Sequence, residues 1–428
     1  MRHLQKRKVV VTGLGLATSL GLELDTNWDR VLAGVSGVKK ISYPGTQKSP
    51  VRAVAEVSKA DFARIEERFR EESACEGERR TLFALWSAES ALRDSGALDA
   101  DINRKRFGVS LAAGLGINRP EDIQKWFCHD RTFDYVAFGQ RYKEMHKESI
   151  VRNNSNRPAS LIAQRSGLTG FNCTITTACA SASQAIGTGY RAIQRGNADL
   201  VVAGGADSMI NPVGLIFFVL LSAAAVSQDD PASLCRPFDR RRSGLVMGEG
   251  AGVAVLEEES HAVKRGAKIY AEVAGYGSSM DAYQVTAPHP KGRGAEESMR
   301  RAIMDAGITA GDIDYINAHG TSTKLNDAAE TIAIKNVFRE DAQKVAISSS
   351  KSMIGHLLAA SGGPEFVFTV MSVKHDIMHP TINLDTPDPK CDLDYLPNKK
   401  REKTVRAALS NSFGFGGQNA SIIVKKYT

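Results

Sequence analysis

A run of β-branched residues that stops at a cysteine is the feature that most constrains this chain. The sequence Thr-Ile-Thr-Thr at 174–177 predicts a short strand, and the small residues around Cys179 favour a helix that starts at once. Cys179 is therefore predicted at a helix N-terminus, where unpaired backbone N–H groups and the helix dipole stabilise a thiolate. Its small neighbours leave room for a bulky group to approach the sulfur. A nucleophile needs both features, but many free cysteines are simply buried, so both interpretations stay open here.

Length and charge limit the class of protein further. The chain has 428 residues, a net charge of +7 and 42% hydrophobic residues, which is typical of a soluble globular protein with about two or three domain-sized units. The positive residues are dispersed, without zinc-finger spacing or an aromatic-basic RNA motif, so we expect no nucleic-acid partner. A moderately basic surface favours an acidic protein partner instead.

The cysteines and the apolar segments predict a compartment. The six cysteines include no C-x-x-C pair, and scattered cysteines in a chain of this length are typical of reduced thiols in the cytoplasm. The basic start of the chain lacks the apolar core of a signal peptide. The longest apolar run, residues 213–226, is shorter than the ~20 residues of a membrane span. We expect a cytoplasmic protein that does not associate with membranes, and we interpret this run as a buried helix or a subunit interface.

The second half of the chain repeats the order of motifs in the first half. Each repeated motif is an apolar strand joined to glycines or to a helix of small residues. The pairs are 8–15 with 269–277, 174–187 with 345–360, and 248–257 with 414–424. This repetition predicts two similar halves, residues 1–265 and 266–428. Since strands alternate with helices, we expect mixed α/β sheets between helical layers.

Two histidines in the second half have settings typical of functional residues. His319 ends an apolar strand beside a glycine and several hydroxyl residues, and His356 lies near the start of a helix; catalytic groups tend to emerge at strand ends in α/β proteins. A cysteine and two histidines permit three chemistries. Zinc binding would need ligand spacing that is absent here, and a cysteine protease would need an orienting Asn or Asp. Acyl transfer with carbon–carbon bond formation would use the thiolate as carrier and the imidazoles to stabilise an enolate.

Four motifs in a fixed order resemble those of one protein family. They are Thr177–Ser181 around Cys179, Asn317–Thr323 around His319, Ser350–His356, and Asn411–Gly417. With these motifs the chain resembles the β-ketoacyl-acyl carrier protein synthases, most closely the type II elongation enzyme, over essentially its whole length. The resemblance implies an α/β thiolase-like fold with two duplicated halves in a five-layered α-β-α-β-α architecture.

The resemblance also implies an activity. Members of the family transfer an acyl chain from a carrier protein to the cysteine, decarboxylate malonyl-carrier protein, and join the resulting carbanion to the acyl thioester. We expect this reaction in fatty acid elongation, with a ketosynthase of a type II polyketide or polyene pathway as the alternative. A non-catalytic subunit like the chain-length factors is disfavoured because those subunits generally lack the cysteine. A thiolase that uses coenzyme A is disfavoured by the pair of histidines.

The resemblance assigns roles to the residues that match the motifs. Cys179 is the nucleophile, and its N–H together with that of Phe415 forms the oxyanion hole. His319 and His356, as neutral imidazoles, donate hydrogen bonds to the malonyl thioester oxygen. The supporting residues are Lys351 paired with Glu365, which orient this cluster, Thr321 and Thr323, which contact the phosphopantetheine arm, and Phe415, which gates the acyl pocket.

Partners follow from the same resemblance. We expect no metal and no tightly bound cofactor, because the phosphopantetheine arrives on an acidic acyl carrier protein. The chain is expected to form a homodimer, with a heterodimer as the alternative. Arg79 and Arg80 are candidate contacts for weak, salt-sensitive docking of the carrier near the pocket mouth, although a solvated basic helix end would give the same pattern.

Overall fold

Strands and helices alternate along the computed structural model, which describes residues 6–42, 49–76, 78–116, 123–145 and 147–428. The strands are β1 (Val9–Ala17), β2 (Lys39–Lys40), β3 (Ala53–Val54), β4 (Phe107–Ala113), β5 (Asn172–Ile175), β6 (Leu200–Asp207), β7 (Gly250–Glu258), β8 (Ala271–Met280), β9 (Tyr315–Asn317), β10 (Ala346–Ser348), β11 (Ile377–Met378), β12 (Arg401–Glu402), β13 (Ala407–Phe413) and β14 (Gln418–Lys425). The helices are α1 (Leu24–Leu32), α2 (Lys59–Arg68), α3 (Arg70–Glu76), α4 (Arg79–Ser95), α5 (Tyr135–Arg141), α6 (Lys147–Arg152), α7 (Arg157–Ser166), α8 (Ser181–Gln194), α9 (Pro212–Leu220), α10 (Glu259–Lys264), α11 (Arg293–Ala306), α12 (Lys324–Phe338), α13 (Lys351–Ile354) and α14 (Gly362–His375).

The main sheet consists of two five-stranded units with the same topology. The strand order is β5-β4-β6-β7-β1 in one unit and β10-β9-β13-β14-β8 in the other. In each unit the first three strands are parallel, the fourth pairs antiparallel with the third, and the fifth pairs antiparallel with the fourth. The units join where β1 pairs with β8, at Val9–Val273, Val10–Glu272 and Val11–Ala271. Strands β1, β5 and β7 therefore occupy the positions of β8, β10 and β14, which are the pairs related by the repeated sequence motifs.

Helices cover both faces of each unit. Helices α8 and α14 pack against each other and against strands of both units, so they form a central layer. Helices α4 and α7 cover the outer face of the first unit, and α11, with α12 against it, covers the second. This arrangement is the predicted α-β-α-β-α fold, and it explains why β1 and β6 are buried along their whole length and are mostly apolar.

One close contact sets the spacing between the central layer and the first unit. The backbone of Gly252 on β7 lies against the first turn of α14, where a Cβ at this position would overlap the Pro364 nitrogen and the Gly363 carbonyl carbon. Both atoms belong to backbone and cannot rotate away. Only glycine fits here, which explains the glycine-rich start of this strand.

The apolar run at 213–226 differs from the prediction of a buried helix. Residues Pro212–Leu220 do form helix α9, but Phe217, Leu220 and Leu221 expose between 44% and 74% of their surface. The interpretation as a buried helix is therefore wrong, and the alternative of a subunit interface stays a prediction. In the described part of the chain, no helix combines the length and the apolar character needed to cross a membrane.

Replacing Gly252 by alanine is expected to destabilise the protein by about 3 kcal/mol, because the new methyl group forces β7 and α14 apart. Thermal unfolding measures the effect as a lower Tm. Gly139→Ala is the matched control, since a Cβ there meets nothing within 4 Å and lies on helix α5. Equal Tm values for the two variants would contradict the packing described.

Candidate active site

Three buried side chains from the two halves of the chain meet at one point. Cys179 lies in the turn between β5 and α8, His319 follows β9, and His356 follows the short helix α13. The sulfur and one nitrogen of each imidazole lie within 4.8 Å of one another. The two rings are nearly perpendicular, with centroids 5.3 Å apart. The residues nominated from the sequence thus form a single cluster.

Each loop that carries one of these side chains contains a non-glycine residue in the left-handed region. Ala178, Ser322 and Leu358 have φ values of 49°, 66° and 51°. Such a conformation costs roughly 1–3 kcal/mol and persists only where surrounding contacts fix it. The backbone at the site is therefore held by the rest of the fold.

Two buried acids of helix α12 hold the His319 loop. Glu330 accepts the N–H groups of His319 and Gly320 at 2.9 and 2.8 Å, and Asp327 accepts the N–H of Thr321 at 3.0 Å. Sequence analysis missed both acids. The signal was present as two acids three residues apart on a helix face that packs into the core.

Hydrogen bonds fix the tautomer of both imidazoles. Nδ1 of His356 accepts the N–H of Leu358 at 3.1 Å and lies 2.7 Å from the Ser361 hydroxyl. Nδ1 of His319 lies 3.3 Å from the Lys351 ammonium, which can only donate. Because each Nδ1 is an acceptor, each neutral ring carries its proton on Nε2. Both histidines are therefore hydrogen-bond donors through Nε2.

Burial and a nearby cation keep these imidazoles neutral. The pKa of His319 and the pKa of His356 are both well below the ordinary value, first because both rings are buried and next because Lys351 is positively charged. Lys351 itself forms an ion pair with Glu365, and both side chains are 1% exposed. Burial raises the pKa of Glu365 to about 7, against the opposing effect of Lys351.

The sulfur of Cys179 is a thiol in the resting site. Burial raises its pKa to about 11, although Lys351 and a hydrogen bond from the Phe415 N–H both act to lower the pKa. The sequence prediction of a stabilised thiolate is therefore wrong for the unliganded site. A helix terminus is worth on the order of 1 kcal/mol or less when exposed, which does not offset the burial of an anion.

A cysteine and two histidines at this spacing could also bind a metal ion, so the ligand atoms matter. A neutral imidazole that binds a metal through Nε2 must carry its proton on Nδ1. In His356 that atom faces the Leu358 N–H, and in His319 it faces the Lys351 ammonium. Both neighbours are donors, so the arrangement favours donation to an oxygen over metal ligation.

The cluster opens into a cavity of about 190 Å³. Its lining includes all three side chains together with Thr321, Thr323 and Phe415. The Thr321 and Thr323 hydroxyls lie 2.8 Å apart. Phe415 stacks on Phe218 with ring centroids 6.5 Å apart and packs against an apolar cluster behind it. The buried members of that cluster are Val51, Val54, Met209, Ile210, Leu215, Phe218, Ala223, Ala224, Leu245, Met247 and Leu358.

Arg80 does not serve as a surface contact. It is 2% exposed and donates to the carbonyl groups of Gly114 and Arg152, so the prediction that it contacts an acidic partner is wrong. Arg79 pairs with the buried carboxylate of Glu249 at 2.7 Å and keeps 34% of its side chain exposed, so its contact with an acidic partner stays a prediction.

The raised pKa of Cys179 predicts how its alkylation depends on pH. The rate of reaction with iodoacetamide should rise by about tenfold per pH unit between about pH 7 and pH 10, because only the thiolate reacts. Cys75 and Cys128 are exposed and also react, so the rate for Cys179→Ala is subtracted. A plateau already reached at neutral pH would contradict the assignment of a resting thiol.

Comparisons with known proteins agree with this geometry. The model of the β-ketoacyl synthase N-terminal domain matches residues 6–262, and that of the C-terminal domain matches residues 270–385. The 3-oxoacyl-[acyl-carrier-protein] synthase 2 of Synechocystis sp. is 39% identical over 427 residues, 100% of each chain. The protein of the same name from Staphylococcus aureus strain N315 is 38% identical over 423 residues, 99% of each chain.

A solved structure gives the same result. The AntDE:AntF complex, a type II PKS acyl-carrier protein with its ketosynthase, has a TM-score of 0.89 and 32% sequence identity to this chain. The match covers 99% of this chain and 100% of that chain. Together with the two domain matches, which span more than half of the sequence, this shows that the chain belongs to the β-ketoacyl synthase family.

Proposed function

We propose that this β-ketoacyl synthase elongates fatty acids by joining a malonyl unit to an acyl chain held as a thioester on Cys179. The observation that carries the proposal is the convergence of one sulfur and two imidazole nitrogens within 4.8 Å. The imidazoles are fixed as Nε2–H donors, which is the form that stabilises an enolate oxygen. A nucleophile and two such donors at one point are what a decarboxylative condensation requires.

In the first half-reaction Cys179 attacks the acyl thioester. The sulfur loses its proton as the new carbon–sulfur bond forms, and the departing phosphopantetheine thiol gains one. The negative oxygen of the tetrahedral intermediate is bound by the N–H groups of Cys179 and Phe415. The contact of the Phe415 N–H with the sulfur supports this role, because it places that donor beside the reacting atom.

In the second half-reaction the malonyl thioester binds with its carbonyl oxygen between His319 and His356. Carbon dioxide leaves, and the electron pair of the broken bond is delocalised onto that oxygen as an enolate. The enolate carbon then attacks the acyl thioester, and Cys179 departs as a thiolate that takes up one proton. Lys351 and Glu365 take no part in bond changes and hold His319 in its donor tautomer.

The surroundings of the cluster suit a long thioester. Thr321 and Thr323 line the cavity that leads to the sulfur, where their hydroxyls can contact the amide groups of a phosphopantetheine arm. The acyl chain passes Phe415 into the apolar cluster behind it. The glycines at 416 and 417 both have positive φ, which gives the Phe415 loop the backbone freedom that a gate needs.

The substrate arrives on an acyl carrier protein, and we infer that no other cofactor is needed. The relatives from Synechocystis and Staphylococcus are named for acyl-carrier-protein substrates, and the AntDE:AntF structure contains an acyl-carrier protein in complex with its ketosynthase. At the mouth of the cavity this chain presents the exposed residues Lys324 and Leu325, and the Lys324 ammonium donates to the Arg240 carbonyl. These residues replace the buried Arg80 as candidate contacts for an acidic carrier.

We also propose a cytoplasmic homodimer. All six cysteines are free, as expected in a reducing compartment. Strand β5 ends the sheet and is only partly buried, which leaves its edge open to pair with a second copy. Elsewhere on the surface, Phe127, Tyr135 and Val136 are between 46% and 78% exposed, and apolar groups in such numbers mark an interface.

Removal of the nucleophile separates the two half-reactions. Cys179→Ala should lose condensation completely and retain the release of carbon dioxide from malonyl-carrier protein. His356→Ala should retain acylation of Cys179, and its decarboxylation of malonyl-carrier protein should be reduced by roughly 10²-fold or more. Radioactive carbon dioxide and the mass of the acylated protein measure the two steps. Full condensation by Cys179→Ala would overturn the proposed function.

A change on the exposed face tests the homodimer. Val136→Asp should lower the mass in light scattering from twice 46.2 kDa towards 46.2 kDa, since a charge in an apolar interface is unfavourable. Val263→Asp is the control, because Val263 is 59% exposed on helix α10, away from β5. A monomeric wild-type protein would contradict the homodimer and favour a heterodimer.

A further inference from the structure

We propose that Asp207 is a positioning residue that holds the imidazole of His356 in its orientation towards Cys179. The inference rests on the condensation proposed above, in which these two side chains act on one thioester. Asp207 belongs to the first half of the chain, whereas its hydrogen-bond partner Ala359 belongs to the second. The sequence motifs do not include this residue.

Asp207 bridges the two halves of the chain beside the site. It is the last residue of strand β6 and is 3% exposed. One carboxylate oxygen accepts the N–H of Ser208 at 2.8 Å, and the other accepts the N–H of Ala359 at 3.0 Å. The carboxylate therefore ties the end of a strand to the turn that follows His356.

That turn determines the state of His356. Leu358, the residue before Ala359, donates its N–H to Nδ1 of His356 and has a φ of 51°. A leucine is strained in this conformation and returns to negative φ unless it is held. The hydrogen bond from Ala359 to Asp207 supplies that restraint. Without it, the Leu358 N–H leaves Nδ1 and only the Ser361 hydroxyl, which can donate or accept, remains beside that atom. The imidazole then loses its fixed tautomer.

The opposite side of the carboxylate faces the strand end next to Cys179. A Cβ on Gly114 would overlap the carboxylate of Asp207, so the backbone at 114 lies directly against it. Arg80 fixes this backbone through the Gly114 carbonyl. The neighbouring carbonyl, that of Ala113, accepts the hydroxyl of Thr176 at 3.2 Å, just before the Cys179 turn.

Asp207→Ala separates positioning from general stability. The variant should lose decarboxylation of malonyl-carrier protein by at least ~10-fold, because His356 is misplaced. Acylation of Cys179 should stay within about threefold of wild type. The carboxylate of Asp207 acts to raise the pKa of the Cys179 thiol, so its removal does not oppose formation of the thiolate. Asp207→Asn, which keeps the volume and one acceptor oxygen, should recover part of the decarboxylation.

Glu257→Gln is the matched control. Glu257 is also a buried carboxylate and lies at the far end of the same strand pair, opposite Leu200. The Glu257→Gln variant should have a lower Tm and an unchanged ratio of decarboxylation to acylation. An equal fall of both reactions in Asp207→Ala and Asp207→Asn, or unchanged decarboxylation in both, would overturn the positioning role. If the alanine variant does not fold, the ratio measured for Asp207→Asn decides alone. Absence of decarboxylation in the wild type would instead contradict the proposed function.

Discussion

The buried ion pair between Lys351 and Glu365 is the interaction on which the site depends. Its ammonium group donates to Nδ1 of His319 and thereby selects the Nε2–H tautomer. The same charge lowers the pKa of both histidines. A buried ammonium is unfavourable without a carboxylate beside it, so Glu365 stabilises the charge on which these effects depend. The pair thus fixes the tautomer of His319 and, together with burial, keeps both imidazoles neutral.

The left-handed residues show how the remaining geometry is maintained. Strain at Ser322 and Leu358 is offset by hydrogen bonds from backbone N–H groups to buried carboxylates. For the loop around Ser322 these come from Asp327 and Glu330, and for the turn around Leu358 the carboxylate is that of Asp207. A carboxylate accepts several N–H groups at once and cannot donate. It therefore fixes a peptide orientation that a hydroxyl or amide would leave ambiguous.

The fold class and the reacting groups could be predicted from the sequence, but the buried side chains around those groups could not. Alternating strands and helices predicted mixed sheets between helical layers, and the motifs around Cys179, His319 and His356 supplied the family resemblance that implied the five-layered fold. Arg80 was misassigned because the burial of a long side chain is decided by tertiary packing. Asp207, Asp327 and Glu330 were missed for the same reason. An acid in a sequence is expected on the surface, and only the fold shows which acids are enclosed with backbone donors.

Burial has opposite consequences for the two stages of the reaction. It raises the pKa of Cys179 to about 11, so the attacking thiolate is scarce and the first stage needs the positive charge of Lys351 and the N–H of Phe415. In the second stage the same exclusion of water protects the acyl thioester from hydrolysis and the enolate from protonation. A site built for a carbanion must be dry, and a dry site disfavours a free thiolate. The positive charge of Lys351 therefore has to act at short range, inside the protein, where it favours the sulfur anion and the neutral imidazoles together.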